Sequence, residues 1–122
     1  MEVLHKSTSA TVEALSINGC YPKVVNHCKR KIIKVSRFLN DEFIQVLSQE
    51  QSKLEESINE YIEKFSNSAI QKPNPRFRLN REVIEQVNKL AERLNRGQNL
   101  LLGFLLFAIS NKIEVTEKET VI

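Results

Sequence analysis

Glycine and proline are scarce, three of each in 122 residues, and long stretches run without either. That scarcity excludes a sandwich or barrel of many short strands and favours helices joined by few turns. Cysteine is nearly absent too. Cys20 and Cys28 stand eight residues apart, which on one helix is roughly 12 Å, too far for a disulfide, although Pro22 interrupts the segment. They read as two unpaired, small apolar residues. No apolar run of signal-peptide length lies in residues 1–19, so a reducing, cytoplasmic setting is expected. The one strongly apolar run, Leu100 to Ile109, is half of what a membrane span requires and predicts a buried element. With 41% hydrophobic and 27% charged residues, the chain is too apolar and too balanced for intrinsic disorder.

The net charge of +3 is mild, but its distribution is not. From Lys23 to Arg37 there are six Lys or Arg and no acid, Asp41 to Glu63 holds seven acids against Lys53 alone, and Lys72 to Arg96 has seven basic residues against three acidic. Two basic blocks thus flank an acidic one. The length suits one cooperative body rather than two independent domains.

Along the chain, Ser7, Thr8 and Ser9 offer cap chemistry for a short helix within 7–18, carrying Val12, Leu15 and Ile17. Cys28, Ile32, Val35 and Leu39 then recur at spacings of four, three and four, which predicts a helix over 22–39. Its other side carries Lys23, His27, Arg30, Lys34 and Arg37 as a basic stripe. Asn40 and Asp41 supply a second cap, and Phe43, Val46 or Leu47, Gln51, Leu54, Ile58, Tyr61 or Ile62 and Phe65 predict a helix over 41–66 with an acidic exposed side. Residues 66–75, with Ser, Asn and two prolines, read as a linker. No internal repeat is evident. The residues after Ile113 read as a charged tail.

Past the linker the period changes twice. Arg76, Phe77, Arg78, Leu79 and Asn80 alternate polar and apolar, the pattern of a short half-buried strand. Val83, Ile84, Val87, Leu90, Ala91 and Leu94 predict an amphipathic helix ending at Asn95 to Gly97, and a last helix runs from Asn99 to Ile113. The segment RFRLNREVIEQVNKLAERLNRGQNLLLGFLLFAISNKI resembles the ribbon-helix-helix (Arc/MetJ-like) superfamily of DNA-binding repressors. The fold this implies is mainly α, with a ribbon-helix-helix module over 73–115, an N-terminal helical extension over 1–72 and a tail over 116–122.

A lone strand leaves its backbone groups unpaired, and the simplest partner is the same strand of a second chain, so a homodimer is expected. Phe77, Leu79, Val83, Val87, Leu101 and Leu105 would form the dimer core. Arg76, Arg78 and Asn80 would face outward, where Arg matches the edge of guanine and Asn that of adenine in the major groove. The resemblance also implies a phosphate at the start of the last helix, here Gln98 and Asn99. Lys23, Arg30, Lys34 and Arg37 are candidates for further phosphate contacts. The run LLLGFLLFAI is apolar all round, so the apolar faces of residues 24–65 are expected to cover it. A tandem variant with Lys31 to Ser36 as a first ribbon conflicts with the helical spacing around Ile32.

His5 and His27 sit in no set with metal-ligand spacing, Tyr21 and Tyr61 read as core or rim, and no phosphate-cradling glycine loop, nucleophile elbow or catalytic carboxylate pair occurs. The expectation is therefore a dimeric, non-enzymatic regulator that binds double-stranded DNA, needs no cofactor or membrane, and has N-terminal helices able to meet a protein partner. The competing expectation is an all-helical adaptor in which residues 76–80 begin a helix.

Overall fold

The alternation in residues 76–80 produces a strand, and the strand finds its partner inside the chain. In the computed structural model, which describes residues 8–120, β1 (Ser9–Glu13) pairs antiparallel with β2 (Arg76–Asn80). The register sets Ser9 opposite Asn80, Ala10 opposite Leu79, Thr11 opposite Arg78, Val12 opposite Phe77 and Glu13 opposite Arg76. Five helices complete the described residues: α1 (Cys20–Lys31), α2 (Val35–Leu47), α3 (Gln51–Ser66), α4 (Arg81–Leu94) and α5 (Gln98–Thr120).

Pairing with β1 removes the reason for assigning β2 a partner strand from another chain. It also corrects the helix expected within 7–18, because Ser9 to Glu13 are extended. The segment after β1 is tied down on all sides. Ala14 donates its amide to Pro75, Leu15 to Asn99 and Asn18 to Ala69, while Ser16 accepts from Gln71. Residues 69–71 of the expected linker therefore lie along residues 16–18, with Ile17 bridged to Ile70.

The helix expected over 22–39 is two helices. Ile32 adopts a left-handed conformation (φ 56°), the amide of Ile33 bonds back to the carbonyl of Cys28, and an extended Lys34 starts α2. This turn satisfies carbonyls that α1 leaves without partners. The apolar spacing of Ile32 and Val35 runs straight through it, and Ile32 is in fact 92% exposed. A second break at Ser48–Glu50 divides the helix expected over 41–66. At the other end α5 continues to Thr120, so the expected tail is helix through that residue.

The order strand, helix, helix occurs twice, once on each side of α3, and the helix pairs correspond position by position. The buried positions of α1 are Cys20, Val24, His27 and Cys28; those of α4 are Val83, Val87, Leu90 and Ala91, each 63 positions later. Leu39, Phe43 and Val46 of α2 correspond in the same way to Leu102, Leu106 and Ile109 of α5, all buried. The turns match as well: Asn95 repeats the left-handed conformation of Ile32, and the bond from Arg96 to Ala91 repeats that from Ile33 to Cys28. The chain carries an internal repeat, contrary to its sequence impression.

Both copies contribute to one core among the described residues. Phe77, Leu79, Val83, Val87, Leu101 and Leu105, expected between chains, are buried within this one. The stretch Gln98–Glu117 is apolar enough by composition to cross a membrane, yet half of it is buried against the other elements. α1, α2, α3 and α4 all pack on α5, which explains its all-round apolar surface. At Gly103 the helix backbone meets the Leu15 carbonyl so closely that a Cβ would stand 2.0 Å from the oxygen.

Candidate nucleic-acid interface

A two-stranded ribbon has two faces, and here they divide cleanly. Phe77 and Leu79 point inward, Phe77 stacking on Tyr21 at 5.8 Å and meeting Phe43 edge-on at 6.0 Å. Arg76, Arg78 and Asn80 are exposed on the other face. Ser9, Thr11 and Glu13 of β1 share that face, opposite Asn80, Arg78 and Arg76 respectively.

Polar contacts organise the outward face. Arg76 Nε donates to Glu13 Oε1 at 3.0 Å, and Asn74 Nδ2 donates to Glu13 Oε2 at 2.9 Å. These bonds, Asn74 first, hold the Glu13 carboxyl below its ordinary range. Arg78 Nη2 donates to Ser9 Oγ at 3.0 Å, which lays its guanidinium along the ribbon. The Arg76 side chain remains 72% exposed despite its ion pair, so both guanidinium groups stay available to a ligand. Rearranging such exposed pairs costs little.

Each end of the ribbon is tied to a long helix. The amide of Asn80 bonds to Asn40 Oδ1 at 2.8 Å, near the middle of α2. At the other end, the amide of Leu15 bonds to the carbonyl of Asn99 in the first turn of α5. Helix starts present amides without intrahelical partners and the positive end of the helix dipole, the chemistry of anion binding. Lys34 and Arg37 are exposed at the start of α2 and make no ion pair among the described residues. At the start of α5, Gln98 is tied to Asn88 Oδ1 at 2.8 Å while Asn99 is exposed.

The basic stripe expected on a single helix does not exist as such. Lys23 and Arg30 lie on α1 and pair with Glu114 and Glu117 of α5, Lys23 at 3.2 Å. His27 is buried, with Nδ1 3.2 Å from Glu117 Oε2 and its ring tilted against Phe38. Lys34 and Arg37 belong to a different helix beyond a turn. Of the four expected phosphate cations, two pair with α5 and two are exposed at the start of α2. Sequence reasoning missed Ser9, Thr11 and Glu13 as strand residues, although SATVE alternates polar and apolar just as RFRLN does; Ser9, with Ser7 and Thr8, read as a helix cap instead.

Other reactive groups are sequestered. Cys20 and Cys28 are buried, and burial pushes both thiols up. Tyr61 is buried and donates to the Leu15 carbonyl at 3.3 Å, its phenol also pushed up by burial. Among the described residues no group of three or more His, Cys, Asp or Glu could hold a metal; His5 lies outside them. The chain matches no protein-family model, no curated protein and no solved structure.

Proposed function

We propose that this chain is a non-enzymatic DNA-binding protein that carries two ribbon-helix-helix units in one polypeptide and lays the β1–β2 ribbon in the major groove. The observation that carries the reading is the 63-residue repeat of paired helices around an antiparallel ribbon whose outward face holds Arg76, Arg78 and Asn80. In this arrangement one chain supplies both halves that a homodimer would supply, β1 standing in for the partner's strand. A ribbon of two strands fits the major groove, where Arg bonds bidentately to guanine and Asn to adenine. The amides at the starts of α2 and α5, with Lys34, Arg37 and Asn99 beside them, would hold the phosphates at either end of the ribbon. Lys23 and Arg30 lie on α1, paired with Glu114 and Glu117 of α5, and are assigned no contact in this arrangement.

The test is a titration of duplex DNA at several salt concentrations. Binding that weakens with salt supports the reading, provided that Lys34→Ala and Arg37→Ala each lower the slope by roughly 0.9, the value for one phosphate no longer neutralised. Arg78→Ala should cost about 1–3 kcal/mol on a selected site and little on random duplex. Absence of salt-dependent binding by the folded chain would refute the proposal and leave a protein-binding adaptor as the better account.

A further inference from the structure

A ribbon made of two copies of one strand presents the same side chains twice, and so reads two identical half-sites related by a twofold axis. The ribbon here has the geometry of such a pair without its chemistry. Its local twofold passes between Thr11 and Arg78, the middle pair of the five, and relates Ser9 to Arg76, Thr11 to Arg78 and Glu13 to Asn80. All three outward positions differ. β2 offers two guanidinium groups and an amide, whereas β1 offers two short hydroxyls and one carboxylate. The difference continues at the ends of the ribbon. Lys34 and Arg37 at the start of α2 correspond, 63 positions on, to Gly97 and Leu100 at the start of α5, neither of them charged. Inside, by contrast, the same spacing joins Val24 to Val87 and Leu39 to Leu102, identical and buried. The halves keep burial at corresponding positions where they meet the core, and differ in charge and hydrogen-bonding chemistry where they face outward.

We infer that the ligand of this chain is a non-palindromic duplex, bound in one orientation because the two strands of its ribbon read unlike half-sites. The inference rests on the reading of the ribbon as a major-groove element. β2 would lie over the half that presents guanine N7 and O6 to Arg76 and Arg78 and adenine to Asn80. β1 would lie over a half to which Thr11 offers a hydroxyl and a methyl group, the latter suited to the thymine methyl. Glu13, opposite Arg76, accepts but cannot donate, so the partners it could take from the base edges are the amino groups of cytosine or adenine. The Asn80 end, with Lys34 and Arg37 at the start of α2, would take the firmer hold on phosphate.

The full chain is incubated with a pool of duplexes carrying a randomised core, and the retained molecules are sequenced. The expected result is a motif without twofold symmetry. Two artificial inverted repeats, each built from one half of it, should bind at least ~10-fold more weakly than the selected site. The variant S9R/T11R/E13N gives β1 the outward face of β2, and the motif it selects should become an inverted repeat; its melting curve establishes that it is folded, and Thr11→Arg alone shifts the central positions the same way if the triple variant is not. A palindromic motif for the natural chain, or a motif unchanged by these substitutions, overturns the inference while leaving DNA binding standing. Selection of no motif together with salt-independent retention overturns the DNA reading, and this inference with it.

Discussion

Gly103 provides a sharp test of how the two halves are joined. Replacing it with Ala places a Cβ 2.0 Å from the Leu15 carbonyl oxygen and 2.8 Å from the Tyr61 hydroxyl. The first of these is backbone and cannot rotate away, so the segment after β1 or the axis of α5 has to move. Forced overpacking of this kind costs about 1–3 kcal/mol. Displacing Leu15 also strains its two hydrogen bonds, from its amide to Asn99 at 3.0 Å and from Tyr61 to its carbonyl at 3.3 Å. Each is worth about 0.5–1.5 kcal/mol. Against these stands the better helix propensity of Ala, about 1 kcal/mol. The balance is a loss of about 1–5 kcal/mol, read as a lower urea midpoint at unchanged slope. The same change at an open helical glycine would stabilise the protein. A Gly103→Ala variant as stable as the natural chain, or more so, would refute the close crossing of α5 over the β1–α1 segment.

The other predictions address the ribbon, its ion pairs and the shared core. Leu79→Ala should destabilise the chain by about 2–5 kcal/mol in urea unfolding, because the side chain is fully buried, whereas Arg78→Ala should change stability by less than about 0.5 kcal/mol. Equal losses would contradict the two-faced ribbon. Glu13 is depressed from its ordinary value of 4.5, so its contribution is present above that pH and is lost as pH falls through the lower folded value. Acid unfolding of the natural chain should accordingly be steeper below that pH than that of Glu13→Gln. With β2 paired internally, light scattering at micromolar concentration should return the mass of one chain; a stable dimer would mean that some other face joins two copies. Cys20 and Cys28 should react with a thiol reagent only at the rate of unfolding, and fast reaction in the native state would contradict their burial.

The sequence by itself determined the elements whose signal is local. The alternation of RFRLN is a strand because period two puts Phe77 and Leu79 on one side and Arg76, Arg78 and Asn80 on the other, whatever the partner is. The 3.6 period from Val83 to Leu94 and the stop at Asn95 are equally local, since Asn tolerates the left-handed conformation that ends α4. The all-round apolar character of residues 100–109 announced burial.

What only the tertiary structure decided was partnership. A strand's hydrogen bonds lie outside itself, so nothing in RFRLN distinguishes β1, 63 residues or more away along the chain, from a second copy of itself. The first unit stayed hidden for two further reasons. Ile32 is a β-branched residue in the left-handed position that Asn95 fills in the second copy, so its turn looked like one more apolar step of a continuous helix. The repeat was masked because burial asks for apolar volume and not for identity: Cys20 stands for Val83, His27 for Leu90, Cys28 for Ala91 and Phe43 for Leu106. The ion pairs of Lys23 and Arg30 with Glu114 and Glu117 were illegible too. They depend on α5 running to Glu117 beside α1, a neighbour that only packing could bring there.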